Sequence, residues 1–290
     1  MKYAVIGATG QTGSVVAQTL KQAGHDVRAI VRGEVQAEKM RALGYEAFLA
    51  EVDDIAALTR AFSDVDGAYL INPPAYLSSD MFARAKQVHF SLLKAIEDAG
   101  VSYTVALSSV GAQHPDGTGN IKTTFDFEQQ IKASGLNITI LRAPNFLDNW
   151  SDSILIAKTK GVLPSFFLPL NKRWPMASSL DIGRVAAELL IERNMEVKMV
   201  ELSDAVECSA EDVASCLSKL LGQDIQAVEV PTDSIASLFE GKGLPSKSAQ
   251  GFQEMMHGFN TDFIQFAGEG AQRRTNVDLE TAIKHMLAES

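Results

Sequence analysis

The chain has 290 residues, 46% apolar and 21% charged, which is enough apolar material for a packed core and too much for a disordered chain. Lys and Arg number 26 against 36 Asp and Glu, and the resulting charge of −10 repels phosphate backbones and argues against a nucleic-acid partner. Two cysteines, Cys208 and Cys216, are too few for a disulfide-stapled scaffold and lack metal-type spacing, so no metal site is expected.

Residues 2–6 form a compact apolar run and predict a strand. Residues 12–23 carry helical spacing, with Val15, Val16, Leu20 and Ala23 available for one buried face and Gly24 as the stop. A second strand is predicted at 27–31, a helix at 35–43 and a third strand at 45–49. Asp53 or Asp54 caps a helix through Phe62, and 67–71 is the fourth strand. A long helix is expected over 80–98, a fifth strand over 101–107, a helix over 122–133 ended by Gly135, and a sixth strand over 137–141. Beyond 150 the alternation weakens. A helix capped by Asp181 runs to 192, 197–202 returns to the sheet, a helix capped by Ser209 covers 209–221, and 231–290 reads as mostly helical.

Strands alternating with helices imply an α/β fold, a doubly wound parallel sheet with helices on both faces. Residues 1–150 are expected to form the larger domain, with 176–204 returning to it. Residues 151–175 and 205–290 are expected to form a smaller, mostly helical subdomain that meets a substrate or partner. Lys158, Lys160 and two prolines interrupt the apolar stretch 154–170, so no membrane span is expected. The run Tyr3–Ile6 is too short for a signal peptide, which leaves a cytoplasmic protein, monomer or homodimer.

The clearest chemical signal is Gly7-Ala8-Thr9-Gly10-Gln11-Thr12-Gly13, a G-x-x-G-x-x-G loop between the first strand and the first helix. Glycines let the backbone turn sharply and approach a diphosphate, and the helix start offers bare N–H donors. Arg32 follows the second strand where the adenosine ribose is read, and a guanidinium there suits a 2′-phosphate. This favours NADP(H), with NAD(H) left open by Glu34; Lys39 and Arg41 add positive field. Ligands sit beyond the carboxyl ends of parallel strands, so Asp53, Asn72, Pro73 and the pair Ser108-Ser109 join the candidates. Capping competes for Asp53, and turn formation competes for the serines.

The order of the Gly7–Gly13 loop, Val52-Asp53-Asp54, Leu107-Ser108-Ser109-Val110-Gly111, Gly135-Leu136 with Ile140-Leu141-Arg142-Ala143-Pro144, Asn145-Phe146 with Asn149-Trp150, and Asp181-Ile182-Gly183 resembles the NmrA-like proteins. These are atypical members of the extended short-chain dehydrogenase/reductase superfamily. The resemblance covers nearly the whole chain. It implies a Rossmann-type fold with a smaller carboxyl-terminal substrate region, and cofactor contacts at Gly7, Gly10, Gly13, Arg32, Asp53 and Pro73. It also implies one of two activities. NADPH-dependent reduction of a small quinone-like acceptor is one; a non-catalytic NAD(P)H sensor acting through a protein partner is the other.

The superfamily's Tyr-x-x-x-Lys pair should fall at 120 and 124, where this sequence has Asn120 and Thr124. Reduction of a secondary ketone needs such an acid, whereas a reduced quinone is a delocalised anion that takes its proton from water. Ser108 and Lys122 are the remaining catalytic candidates, with His114 and His257 weaker. Asn145, Phe146, Asn149 and Trp150 follow the sixth strand and are candidates for the acceptor pocket, core packing competing for the two rings. Cys208 and Cys216 read as buried, inert thiols.

Overall fold

The computed structural model describes residues 1–289. In the first half strand and helix alternate without a break. The elements are β1 (Lys2–Ile6), α1 (Gln11–Gln22), β2 (Asp26–Val31), α2 (Glu34–Ala42), β3 (Glu46–Leu49), α3 (Ile55–Phe62), β4 (Gly67–Leu70), α4 (Met81–Ala99), β5 (Thr104–Ser109), α5 (Lys122–Ser134) and β6 (Ile138–Ala143). The second half holds β7 (Asn145–Phe146), α6 (Ser151–Lys160), β8 (Val162–Ser165), β9 (Trp174–Ala177), α7 (Ser179–Glu192), β10 (Met199–Asp204), β11 (Val206–Cys208), α8 (Ala210–Leu221), β12 (Gln226–Glu229), α9 (Ile235–Gly241), α10 (Ser246–Asn260), β13 (Ala271–Arg274) and α11 (Leu279–Glu289).

Among the described residues the main sheet has eight strands in the order β3-β2-β1-β4-β5-β6-β10-β13. All its pairings are parallel, as right-handed crossovers require. Successive side chains point to opposite faces. Tyr3, Val5, Val27, Ala29 and Val31 therefore meet α1, α2 and α7 through Val16, Leu20, Met40, Val185 and Leu189. Ala4, Ile6, Ile30, Ala68 and Leu70 meet α3, α4 and α5 through Leu58, Phe62, Leu92, Ile96, Phe127 and Ile131. A third apolar core fills the smaller lobe, where Trp150, Ile154, Leu163, Phe167, Trp174, Val213, Leu217, Phe259 and Ile283 pack together. The lobe carries the short sheets β11-β9-β7 and β12-β8.

Several boundaries depart from the sequence reading. The fifth and sixth strands run two residues further, because Ser108 and Ser109 pair with Arg142 and Ala143. Charge in the sheet is tolerated there because the Arg142 guanidinium finds a carboxylate. Ser178, not Asp181, caps α7, accepting from the Leu180 N–H. Asp181 is buried inside that helix and instead accepts the backbone N–H groups of Asn276 and Val277. The carboxyl-terminal stretch read as helical contains β13, which gives β10 a second parallel neighbour. Among the described residues no helix is long and apolar enough to cross a membrane.

Candidate nucleotide and acceptor site

The glycine loop lies at the carboxyl end of β1, next to the point where strand order reverses between β1 and β4. Gly7 has φ +69°, and a Cβ there would stand 2.5 Å from Ile71 Cδ1. A Cβ on Gly13 would stand 2.2 Å from the Gly7 carbonyl oxygen, so only glycine lets α1 begin this close to the loop. Gly10 occupies the cap position and supplies no side-chain cap. Its carbonyl accepts from Ser14, and the N–H groups of Gln11, Thr12 and Gly13 have no carbonyl one turn back. Thr12 turns inward to accept the Tyr69 hydroxyl at 3.0 Å, while Thr9 and Gln11 remain exposed at the rim. A bare, side-chain-free set of donors is the arrangement a diphosphate fits.

On the adenosine side Arg32 follows β2, is exposed, and makes no hydrogen bond or ion pair with any described residue. Glu34 is claimed by Arg41 at 2.5 Å. That surface pair engages the carboxylate and offsets part of the positive field expected of Arg41. Asp54 caps α3 by accepting from the Ala57 N–H at 2.9 Å. Asp53 is thereby left to bond Arg84 of α4 at 2.5 Å, and that guanidinium holds its carboxyl below the usual range.

On the far side Asn72 and Pro73 leave β4 half-buried. The Asn72 amide donates to Thr123 Oγ1 at 2.9 Å, which ties this loop to the first turn of α5. Ser108 is buried, and its hydroxyl donates to Glu128 Oε1 at 2.6 Å. Glu128 also accepts Arg142 Nε at 2.8 Å and Nη2 at 2.7 Å, a bidentate pair with both partners fully buried. Arg142 Nη1 reaches Glu201 at 3.4 Å and Glu269 at 3.3 Å. The row follows from register: Ser108 lies opposite Arg142, and Arg142 opposite Glu201, across β5, β6 and β10.

Neither catalytic candidate is a free acid. The Ser108 proton is committed to a carboxylate. Lys122 Nζ donates to Asp116 at 2.9 Å and to the Pro115 carbonyl. Asn120 is buried and donates to the Ser248 carbonyl, and the Thr124 hydroxyl turns back to Ile121. His114 stacks on Phe263 at 4.4 Å, and His257 is exposed.

Asn145 and Phe146 form β7 and are half-buried, and Asn149 is exposed. Trp150 differs from its reading as a pocket wall. It is 4% exposed, its indole N–H meets Met176 Sδ at 3.3 Å, and its ring packs near Phe167 in the lobe core, which buries more of it than an open pocket would. Burial pushes the Cys208 thiol up to about 12 and raises that of half-buried Cys216, which disfavours the thiolate at both.

Sequence reasoning missed Arg84, Thr123 and the Glu128–Arg142 pair. Each belongs to a stretch the helix and loop periodicities had already explained, and its role comes from a partner 14 or more residues away in the pairs formed by Arg84, Thr123 and Arg142. An arginine directly after the predicted sixth strand was the one signal available.

A glycine loop with an uncapped helix at the reversal point of a doubly wound parallel sheet defines a Rossmann-type nucleotide-binding protein. Within that class the chain belongs to the NmrA-like family, whose model matches residues 1–284. It is 25% identical over 253 residues to an NAD(P)H azoreductase of Xenophilus azovorans, covering 87% of this chain and 85% of that protein. It is 28% identical over 246 residues to quinone oxidoreductase 2 of Escherichia coli, covering 83% and 82%. The fold matches the crystal structure of an Escherichia coli NADPH-dependent quinone oxidoreductase complexed with NADPH, with a TM-score of 0.79, 24% identity, and coverage of 99% and 100%.

Proposed function

We propose that this protein is an NADP(H)-dependent reductase that delivers hydride to a small planar acceptor of quinone type, without a Tyr–Lys pair. The observation that carries this reading is the cradle of uncapped N–H donors at Gln11–Gly13 beside Gly7, with an unpaired guanidinium at Arg32. The donors of α1 hold the diphosphate, and Arg32 holds the 2′-phosphate once Arg41 has drawn Glu34 away. Residues 1–150 with 176–204 grip the nucleotide, and 151–175 with 205–290 cover the acceptor, β13 excepted, which extends the sheet.

When bound, the reduced nicotinamide would supply two electrons and a proton as hydride, and water would supply the second proton to the delocalised anion. The chain's own task is to position and to exclude water. Asn72, tied to Thr123, and the buried Ser108–Glu128–Arg142 row fix the carboxyl ends of β4, β5 and β6. Two of the curated relatives bear reductase names, one for azo compounds and one for quinones, which supports an aromatic, electron-poor acceptor.

The test is calorimetry with NADPH and NADH, then absorbance of the reduced cofactor against a panel of quinones and azo dyes. NADPH binding with turnover of at least one acceptor is expected. Absence of binding sinks the reading; binding without oxidation by any acceptor transfers the chain to the sensor class.

A further inference from the structure

We infer that Tyr76 is an acceptor-binding residue at the carboxyl end of the main sheet, its phenol donating a hydrogen bond to the oxygen of a planar quinone-type acceptor. This rests on the reductase reading above and deepens it. The chain has five tyrosines. Tyr69 and Tyr103 are buried in the sheet with their hydroxyls bonded to Thr12 and Thr139. The Tyr3 hydroxyl donates to the Leu190 carbonyl. Tyr45 lies ahead of β3, at the amino end of the sheet, under Lys21. Tyr76 alone stands on a loop at the carboxyl end, four residues beyond Asn72 on the connection from β4 to α4.

Three observations converge on it. The Tyr76 hydroxyl bonds no described residue; as a phenol it is a donor at neutral pH, and burial raises its pKa further. Its ring begins a row of half-buried aromatic rings that leads into the smaller lobe. Tyr76 meets Phe252 at 4.8 Å, Phe252 stacks on Phe239 at 4.8 Å and 22°, and Phe239 meets Phe166 at 5.8 Å. Leu77 beside it is 78% exposed and adds an apolar rim. An unused donor at the end of an aromatic row suits a ligand that is flat, apolar and edged with an acceptor atom.

The loop is also held in place. Asn72 is tied to Thr123 on one side, and Asp80 pairs with Lys247 of α10 at 2.5 Å on the other. α10 in turn lies on the segment after β5, where a Cβ on Gly119 would stand 1.9 Å from the Gly251 carbonyl oxygen. Tyr76 is therefore a positioned group, and the usual acid position, Asn120, is closed off beneath the same helix.

The experiment titrates protein saturated with NADP+ with 9,10-anthraquinone-2-sulfonate and with anthracene-2-sulfonate, which has the same rings but no quinone oxygens. Tyr76→Phe should weaken the quinone threefold to tenfold, the range of one neutral hydrogen bond, and leave anthracene-2-sulfonate unchanged. Phe252→Leu should weaken both. NADPH affinity should be unmoved in each variant. The inference is overturned if wild-type protein binds neither probe, if Tyr76→Phe binds the quinone as wild type does, or if it loses both probes equally. Failure of the reductase reading looks different, since quinone binding that responds to Tyr76→Phe would persist while no acceptor oxidised NADPH.

Discussion

Around Gly7–Gly13 the polar groups at the carboxyl end of the sheet are main-chain donors contained in seven consecutive residues. Around Ser108 they are side chains from separate elements, Ser108 on β5, Glu128 on α5, Arg142 on β6 and Glu201 on β10, with Glu269 from the loop before β13. The first arrangement is made by local conformation and needs only one strand and one helix. The second is made by register, and it places two fully buried carboxylates against one guanidinium. A backbone site is insensitive to protonation, whereas a side-chain site carries the cost of buried charge.

Four substitutions and a pH series would break or sharpen this contrast. The largest effect is expected from Arg142→Met, which strands Glu128 and Glu201 in the core; urea unfolding should show a loss of about 3–5 kcal/mol. A similar loss by a variant at an exposed pair such as Lys94–Glu97 would erase the distinction.

The pH series comes next. His89 on α4 is fully buried, stacks on Phe127 at 4.5 Å, and has no hydrogen-bond partner at either ring nitrogen. Burial pushes its pKa down to about 4 from 6.5. The unfolded chain takes up this proton first as pH falls, so stability is full above about pH 6.5 and drains between 6.5 and 4. The loss approaches about 3 kcal/mol at the low end. His89→Leu should remove that slope from the difference between its denaturation profile and that of wild type; parallel profiles would refute the assignment.

Gly13→Ala pushes a methyl into the Gly7 carbonyl. A drop of about 1–3 kcal/mol is expected from overpacking, with loss of the thermal upshift given by NADPH. If the upshift survives, the donors of α1 do not hold the diphosphate. Arg32→Ala should lower the ratio of NADPH to NADH affinity about tenfold in a fluorescence titration, roughly the value of one charge-assisted contact. The smallest effect is expected from Lys122→Ala, whose ammonium already bonds Asp116 and Pro115 at the surface. Stability should move by about 0.5 kcal/mol or less, and turnover should be retained. A collapse of turnover would restore Lys122 as an acid.

The contrast also explains what could be read in advance. The alternation through residue 143 and the glycine loop were legible because each is set by residues close in sequence. The ends of β5 and β6 were not, since the pairing of Ser108 with Arg142 depends on a carboxylate supplied by α5. Asp53 and Asp54 were equivalent by position, and only the presence of Arg84 on α4 separated them. Trp150 was balanced between pocket and core until the lobe closed around it.

Periodicity and glycine spacing alone determined a doubly wound α/β chain with a nucleotide loop at its amino end, because turn geometry, helix starts and strand alternation are short-range properties. The tertiary structure alone decided which polar side chains are spent on one another, as Ser108, Glu34, Asp53 and Lys122 are, and which are left over, as Arg32 and Tyr76 are. A hydrogen bond or ion pair belongs to two groups at once, and the second partner is chosen by the packing of distant segments.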